Sequence, residues 1–291
     1  MLKQVGRVLH GSPATHIFAP GRSDEQPRFI RYPGGKQRFL RYLLPLLPTG
    51  DAIRGHYVEP FVGSASVFLA LDPNEAVLSD INAELIDLYR GLRDYPTRIW
   101  RFYSLFPGTK RAYYKIRRDR WRNRELAYRA ARLLYLNRTC FKGMWRQNAL
   151  GEFNIGYGGQ DRRWAITRSN LSAVSSRLKK AAILQGDFEY LVDWCGEGDF
   201  IFCDPPYRPG EREAIHSHYS SFTFSYDDQQ RLASALARAT RRGVMWAITN
   251  TSHGDVLKLY KRSKIIALPR GVGKKPGLLV ERGGEVLIRN Y

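Results

Sequence analysis

An α/β fold built on a parallel sheet, interrupted once by a basic and mainly helical segment, is what this sequence predicts, and three observations lead there. Short apolar runs at 56–59, 76–80, 199–204 and 244–249 each end in polar or acidic residues. Helical patterns follow them, as at 83–92 and 227–240, and strands alternating with helices build parallel sheets covered on their faces. Between the second and third runs lies a stretch of different composition, long enough to be an insertion. With 291 residues, 43% hydrophobic and 25% charged, the chain can bury a full core and is no disordered or fibrous protein.

In chain order, residues 1–27 carry Gly11-Ser12-Pro13 and Pro20-Gly21-Arg22 with little periodicity, and read as an N-terminal extension. A main domain is expected at 28–92 and 165–291, interrupted by a second at 93–164. From Arg93 to Arg146 there are 16 Lys or Arg against three acids, so 16 − 3 = +13 of the chain's +20 falls in about a fifth of its length. Tyr113, Tyr114, Trp121, Tyr128 and Trp145 are interleaved with that charge. A helix at 122–136 would put Leu126, Ala130, Leu133 and Leu134 on one face and arginines on the other. Basic charge mixed with aromatics points to a polyanion, and the segment is read as a DNA-contacting module. No apolar run approaches the roughly 20 residues of a spanning helix, and no leader pattern opens the chain, so a cytoplasmic protein without a membrane partner is expected. Cys140, Cys195 and Cys203 lack metal-ligand spacing and are expected to be buried apolar residues; no metal is expected.

The motif with the most chemistry is Asp204-Pro205-Pro206-Tyr207 at the end of an apolar strand. The exocyclic amine of a nucleobase is a poor nucleophile because its lone pair is delocalised into the ring. Accepting hydrogen bonds from both amine protons localises that pair. The Asp204 carboxylate and the Pro205 carbonyl can do this together, since successive prolines supply carbonyls without N–H groups. Tyr207 offers a ring on which the base can stack, and the geometry requires the base to leave the duplex.

A nucleoside-bearing cofactor should accompany the tetrad. Glu59-Pro60-Phe61-Val62-Gly63-Ser64 follows one strand and opens a helix, where a small-residue turn lets backbone approach a ligand. Asp80 ends the next strand, a place suited to ribose hydroxyls, although Asp80-Ile81-Asn82 also has the makings of a helix cap. The carboxylate and ring of Gly186-Asp187-Phe188 are placed to hold an adenine. Tyr32-Pro33-Gly34-Gly35-Lys36 lacks the earlier Gly and the following Ser or Thr of a phosphate loop, because Gln37 follows the lysine. A lysine for a carboxylate and a tyrosine near a sulfonium cation suit S-adenosylmethionine better.

Taken in order, these pieces resemble the Dam-type (D12 class, alpha-group) adenine-N6 DNA methyltransferases. The resemblance runs from about Phe29 to Tyr291 and rests on Tyr-Pro-Gly-Gly-Lys-Gln at 32–37, Glu-Pro-Phe-Val-Gly-Ser at 59–64, Ser-Asp-Ile-Asn at 79–82, Asn-Arg-Thr-Cys-Phe-Lys-Gly at 137–143, Gly-Glu-Phe-Asn at 151–154, the tetrad, and Phe-Thr-Phe with Asp228-Gln229. It implies a Rossmann-like S-adenosylmethionine-dependent methyltransferase sheet with an inserted, mainly helical target-recognition domain. It also implies methyl transfer to a flipped adenine in double-stranded DNA, possibly GATC or a related site. Catalysis would centre on Asp204, Pro205, Pro206 and Tyr207, with Tyr32, Lys36, Phe61, Gly63, Asp80, Asp187, Phe188 and Asp204 around S-adenosylmethionine. DNA would meet Arg138, Phe141, Lys142, Met144, Arg146 and Asn148, with Phe141 or Met144 as a wedge between base steps and Arg146 suited to guanine. The chain departs from the family at Ala65, where a second glycine is usual, at Lys142, where asparagine is common, and at Gly156, where readers of GATC have proline. A monomer is expected, with a dimer on DNA left open. The alternatives are transfer to cytosine N4, for which a Ser-initiated tetrad is commoner, and a silent nucleic-acid-binding protein of the same fold.

Overall fold

In the computed structural model, residues 29–32, 34–148, 152–159, 166–207, 224–268 and 284–291 are described. The extension at 1–27, Pro33, Gly151 and the pair Phe222-Thr223 lie outside the described residues. Seven strands form one sheet: β1 (Tyr57–Glu59), β2 (Ala76–Asp80), β3 (Ala181–Gln185), β4 (Phe200–Cys203), β5 (Met245–Thr251), β6 (Lys264–Ala267) and β7 (Glu285–Arg289). Their order is β3-β2-β1-β4-β5-β7-β6. The first five are parallel and β7 runs antiparallel between β5 and β6. This is the α/β, Rossmann-like sheet the sequence predicts, with a switch point where the chain moves from β3 on one side to β4 on the other. The terminal antiparallel pair, β6 and β7, has no counterpart among the apolar runs read from sequence.

Successive residues of the central strands face opposite sides. Tyr57, Ala76, Leu78, Phe200, Phe202 and Ala247 join one apolar cluster. Their neighbours Val58, Val77, Ile201, Cys203, Trp246 and Ile248 join the other. A sheet covered on both faces needs apolar residues at both phases of the two-residue period, and for that reason these strands read as continuous apolar runs. All three cysteines are free and buried.

Among the described residues the α-helices that accompany the sheet are α1 (Leu40–Leu43), α2 (Ser66–Leu71), α3 (Ala83–Asp94), α4 (Pro96–Leu105), α5 (Lys110–Arg117), α6 (Leu126–Thr139), α7 (Arg168–Leu178), α8 (Phe188–Trp194), α9 (Tyr226–Arg241) and α10 (Gly254–Leu259). The helix expected at 122–136 is α6, displaced towards the C-terminus. Trp121–Asn123 form a separate 3-10 turn, and Arg124 and Glu125 are extended. At its other end α6 continues because its polar side chains find partners: Asn137 pairs with the backbone of Arg31, and Thr139 Oγ1 donates to the Tyr135 carbonyl at 2.7 Å.

The inserted helices do not form an isolated core. Leu133, Leu134 and Leu136 of α6 share one apolar cluster with Leu85, Leu88 and Leu92 of α3 and with the sheet. The basic surface is also smaller than the +13 read from sequence. Arg132 is only 1% exposed, donates to the carbonyls of Ile116 and Arg117 at the end of α5, and stands 5.0 Å from the Trp121 ring. A guanidinium there satisfies carbonyls that a helix end leaves open.

Ala65, where the family usually has glycine, adopts the left-handed conformation (φ 53°) just before α2 and is fully buried. Any L-residue there costs roughly 1–2 kcal/mol, and a β-branched one costs more. Ala65→Gly should leave unfolding free energy within about 1 kcal/mol of the parent, whereas Ala65→Val should lower it by at least about 2 kcal/mol. Urea denaturation of the two variants provides the measurement.

Candidate active site

At the carboxyl ends of β1, β2 and β4 a cavity of about 700 Å³ opens, lined by the 34–36 and 59–67 turns, Asp80, Asp187, Phe188 and the tetrad. Its floor is the glycine turn after β1. Gly63 has φ +45°, and a Cβ there would stand 3.3 Å from the Tyr32 ring, so both conformation and space call for glycine. Three bonds hold this turn. The Val62 N–H donates to Ser79 O at 2.9 Å, the Gly63 N–H donates to Asp80 Oδ2 at 3.1 Å, and the Tyr89 hydroxyl donates to Gly63 O at 2.5 Å. Asp80 also accepts from the Asn82 N–H through Oδ1 at 3.0 Å. The helix cap falls to Asn82, which accepts from Glu84 and Leu85 at the start of α3. The two readings of Asp80-Ile81-Asn82 therefore divide between two residues, and the Asp80 carboxylate stays on the cavity wall. Burial outweighs its backbone donors and raises its carboxyl to about 6.

β4 delivers the tetrad to the opposite wall. Asp204 Oδ1 accepts from Lys36 Nζ at 2.6 Å, from Thr249 Oγ1 at 2.6 Å and from the Tyr207 hydroxyl at 3.4 Å. Among the described residues no donor is recorded for Oδ2. Burial pushes the Asp204 carboxyl up, and the Lys36 ammonium opposes that push. Lys36 is 3% exposed, and its three N–H directions are met by Asp204, by Glu285 Oε1 at 3.1 Å and by Gly34 O at 2.8 Å. The part expected of it, holding a carboxylate on a ligand, finds no spare proton in this arrangement, because two protein carboxylates and a backbone carbonyl already use the ammonium. Tyr207 donates to Glu285 and lies beneath Lys36, 4.9 Å from the ammonium to its ring centre.

The two proline carbonyls have different fates. That of Pro206 accepts from Gln229 Nε2 at 3.1 Å, and Gln229 is itself held by Asn250 Nδ2 at 3.0 Å, both side chains being fully buried. Pro205 receives no hydrogen bond from the described residues. Glu59, at the end of β1, accepts from the Tyr57 hydroxyl at 2.9 Å, and burial pushes its carboxyl well above the usual carboxylate range.

An aromatic wall closes one side. Phe61 stacks on Phe188 at 5.3 Å, with Phe224 edge-on to Phe61 at 5.6 Å. Rings this close leave no room for a base between them, so a base must lie against the pair. Asp187 caps α8 by accepting from the Glu189 N–H and pairs with Arg231 at 2.9 Å. Tyr32 packs against Trp145 at 5.3 Å, joining the glycine turn to the basic segment.

The residues expected to meet DNA are split. Phe141 and Met144 are 49% and 42% exposed and lie at the surface, not in the core. Lys142 is exposed and left-handed (φ 55°), followed by Gly143 at φ 65°. Arg146 lines the cavity and donates from Nε to Asn154 Oδ1 at 2.9 Å. Asn148 exchanges hydrogen bonds with Glu152 across the bridge between Gln147 and Phe153. Arg138 does not join them. It is 6% exposed and its Nε donates to Phe29 O at 3.0 Å, because its place on α6 turns it towards the chain entering the domain.

Three supporting residues, Thr249, Asn250 and Glu285, were not among the residues expected in the site, and Gln229 entered only through the Asp228-Gln229 pair that carries the family resemblance. Thr249 and Asn250 carried a signal, since polar residues at the carboxyl end of a parallel strand face the crevice where ligands sit. Glu285 carried none.

The sequence model of the D12 class N6 adenine-specific DNA methyltransferases matches residues 32–270. The DNA N-6-adenine-methyltransferase of Escherichia phage P1 is 33% identical over 90% of this chain, which spans 34% of that protein's length. Type II methyltransferase M1.LlaDCHI of Lactococcus lactis subsp. cremoris is 31% identical over 90% of this chain and 95% of its own length. Type II methyltransferase M.MjaIII of Methanocaldococcus jannaschii is 31% identical over 90% of this chain and 98% of its own. Among the described residues no helix is long and apolar enough to cross a membrane.

The raised carboxyl of Asp80 sets a direction for pH dependence. Its folded value of about 6 exceeds the unfolded 3.8, so its contribution is fully present below 3.8 and is lost as pH rises through 6. Unfolding free energy should fall between pH 4 and pH 8, with a share of up to about 3 kcal/mol that Asp80→Asn removes. Parallel pH profiles for the two proteins in urea titrations would refute the assignment.

Proposed function

The chain belongs to the D12 class N6 adenine-specific DNA methyltransferase family, and on that premise we propose that it transfers the methyl group of S-adenosylmethionine to N6 of an adenine flipped out of double-stranded DNA, within GATC or a related short site. The observation that carries the reading is the division of labour at the tetrad. Three donors of the protein converge on Asp204 Oδ1, while Oδ2 and the Pro205 carbonyl take none from the described residues. Two acceptors side by side suit the two N–H groups of an exocyclic amine.

S-adenosylmethionine fits the cavity on its chemistry: about 700 Å³ of space, the Phe61 and Phe188 rings for a base, Asp80 for ribose hydroxyls, and an acidic lining for a cation. When bound, it would supply an electrophilic methyl on a positively charged sulfur. Asp204 and Pro205 would draw both amine protons to one side and localise the N6 lone pair towards that methyl. The Tyr207 ring would hold the adenine by stacking, and the cost of flipping, a few kcal/mol, would be met by stacking and by contacts to the vacated duplex.

Residues 93–164 are assigned to target recognition, and 28–92 with 165–291 to catalysis. The exposed Phe141 and Met144 suit a wedge between base steps, and Lys142 and Asn148 suit the adjoining backbone. Arg146, oriented by Asn154, suits guanine in the major groove.

Asp204→Ala should lower transfer of labelled methyl by at least 100-fold while leaving duplex binding within about threefold, measured at one stated salt concentration. Digestion of the methylated DNA to nucleosides should yield N6-methyldeoxyadenosine; N4-methyldeoxycytidine as the product would overturn the assignment. Arg146→Ala should cost about 1–3 kcal/mol of discrimination at a single position of the site, seen by comparing rates on duplexes that differ at one base pair.

A further inference from the structure

We propose that Glu285 is a positioning residue for methyl transfer: it takes the shorter hydrogen bond of the Tyr207 hydroxyl and shares the Lys36 ammonium with Asp204, and so limits the hold of that hydroxyl on the carboxylate that is to accept from the target amine. The inference rests on the reading of Asp204 and Tyr207 given above.

Glu285 begins β7, where it pairs with Thr251 of β5. Its side chain leaves the sheet and enters the site. There Oε1 accepts from the Tyr207 hydroxyl and from Lys36 Nζ at 3.1 Å. The same hydroxyl has a second acceptor within reach, Asp204 Oδ1 at 3.4 Å, and the same ammonium bridges to that oxygen at 2.6 Å. Two carboxylates thus compete for the donors of two side chains. The charged and titratable groups around Asp204 are Lys36 from the turn at 36–38, Glu285 from β7, Glu59 and Tyr57 from β1, Cys203 from β4, and Tyr207 beside it. A second carboxylate here opposes ionisation of Asp204, so it carries an electrostatic cost that cavity lining alone does not explain. What it gains is direction. With Glu285 in place the Tyr207 hydroxyl makes its shorter bond to Glu285 and only the 3.4 Å one to Asp204 Oδ1. Without it, Asp204 is the carboxylate left within reach of the hydroxyl among the described residues, and a closer bond there would weaken Asp204 as an acceptor and turn the ring.

The test uses the full chain and four proteins: the parent, Glu285→Gln, Glu285→Ala, and Glu285→Ala combined with Tyr207→Phe. The expected result for Glu285→Ala is a fall in kcat of about 100-fold, the scale of a 1 Å misplacement, with calorimetric affinity for S-adenosylmethionine and the KM for duplex within about threefold. Glu285→Gln, which keeps an acceptor for the hydroxyl, should fall less. In both, the acid limb of the pH–rate profile should move to lower pH by roughly half a unit or more, because a negative charge beside Asp204 has gone. Removing the competing hydroxyl in the double variant should raise kcat about tenfold above Glu285→Ala, a rescue that loss of a merely structural residue would not allow. An unchanged kcat, or an unmoved acid limb together with no rescue by Tyr207→Phe, overturns the inference. If Glu285→Ala fails to give the parent's circular dichroism spectrum, the limb of Glu285→Gln decides. A parent that transfers no methyl to adenine sinks the functional reading itself, whereas an active parent with indifferent variants sinks only the role of Glu285.

Discussion

The buried ammonium of Lys36 is the interaction on which the site depends. Asp204 and Glu285 both face the cavity from the carboxyl side of the sheet, where a buried unpaired charge costs several kcal/mol. One cation between them, completed by the Gly34 carbonyl, offsets that cost for both carboxylates at once. The lysine therefore acts on the architecture of the site before it acts on any ligand. Loss of the lysine would leave two buried carboxylates, and loss of either carboxylate would leave the other with the whole ammonium.

The sheet makes that meeting possible through its one reversal of direction. β1, β2 and β4 bring Glu59, Asp80 and Asp204 to the crevice at their ends, as parallel strands do. β7 runs the other way beside β5, so the crevice receives its first residue, Glu285. Support for the tetrad comes from β5 and α9. Thr249 holds the carboxylate, and Asn250 through Gln229 holds the Pro206 carbonyl and leaves that of Pro205 to the cavity.

The parallel strands were legible in sequence because burial on both faces requires long apolar runs, and the cavity residues were legible because each run ends in a polar residue of a distinct kind. β6 and β7 were not. β6 is a half-exposed edge strand, Lys264–Ala267, without a dense apolar run, and β7 offers only Val286, Leu287 and Ile288. Glu285 was hidden for a further reason: a search for site residues at strand ends looks at the wrong end of an antiparallel strand. The cap at Asn82 and the cavity position of Asp80 were both visible as possibilities, and only the fold separates them, since the choice depends on where Gly63 presents its N–H. Arg138, expected at DNA with the rest of the 137–143 motif, is instead turned inward, because that motif spans the end of α6 and the turn beyond it, and the helix sets which way each of its side chains faces.

That inward face explains how the base-contacting turn and the catalytic wall are joined. The Arg31 N–H donates to Asn137 Oδ1 at 2.8 Å, Asn137 Nδ2 donates back to the Arg31 carbonyl at 2.7 Å, and Arg138 Nε donates to the Phe29 carbonyl. A short extended stretch, 29–32, is thereby bonded along the end of α6, and its far side leads directly into Tyr32 and Lys36. At the same end of the helix the turn at 140–144 closes on this stretch, with Gly143 so near Arg31 that a Cβ would lie 2.2 Å from its side chain. Phe141 and Met144 project from that turn. The turn that would sense DNA and the chain leading to the lysine that organises Asp204 thus meet on one short stretch, 29–32, held by hydrogen bonds to the end of α6.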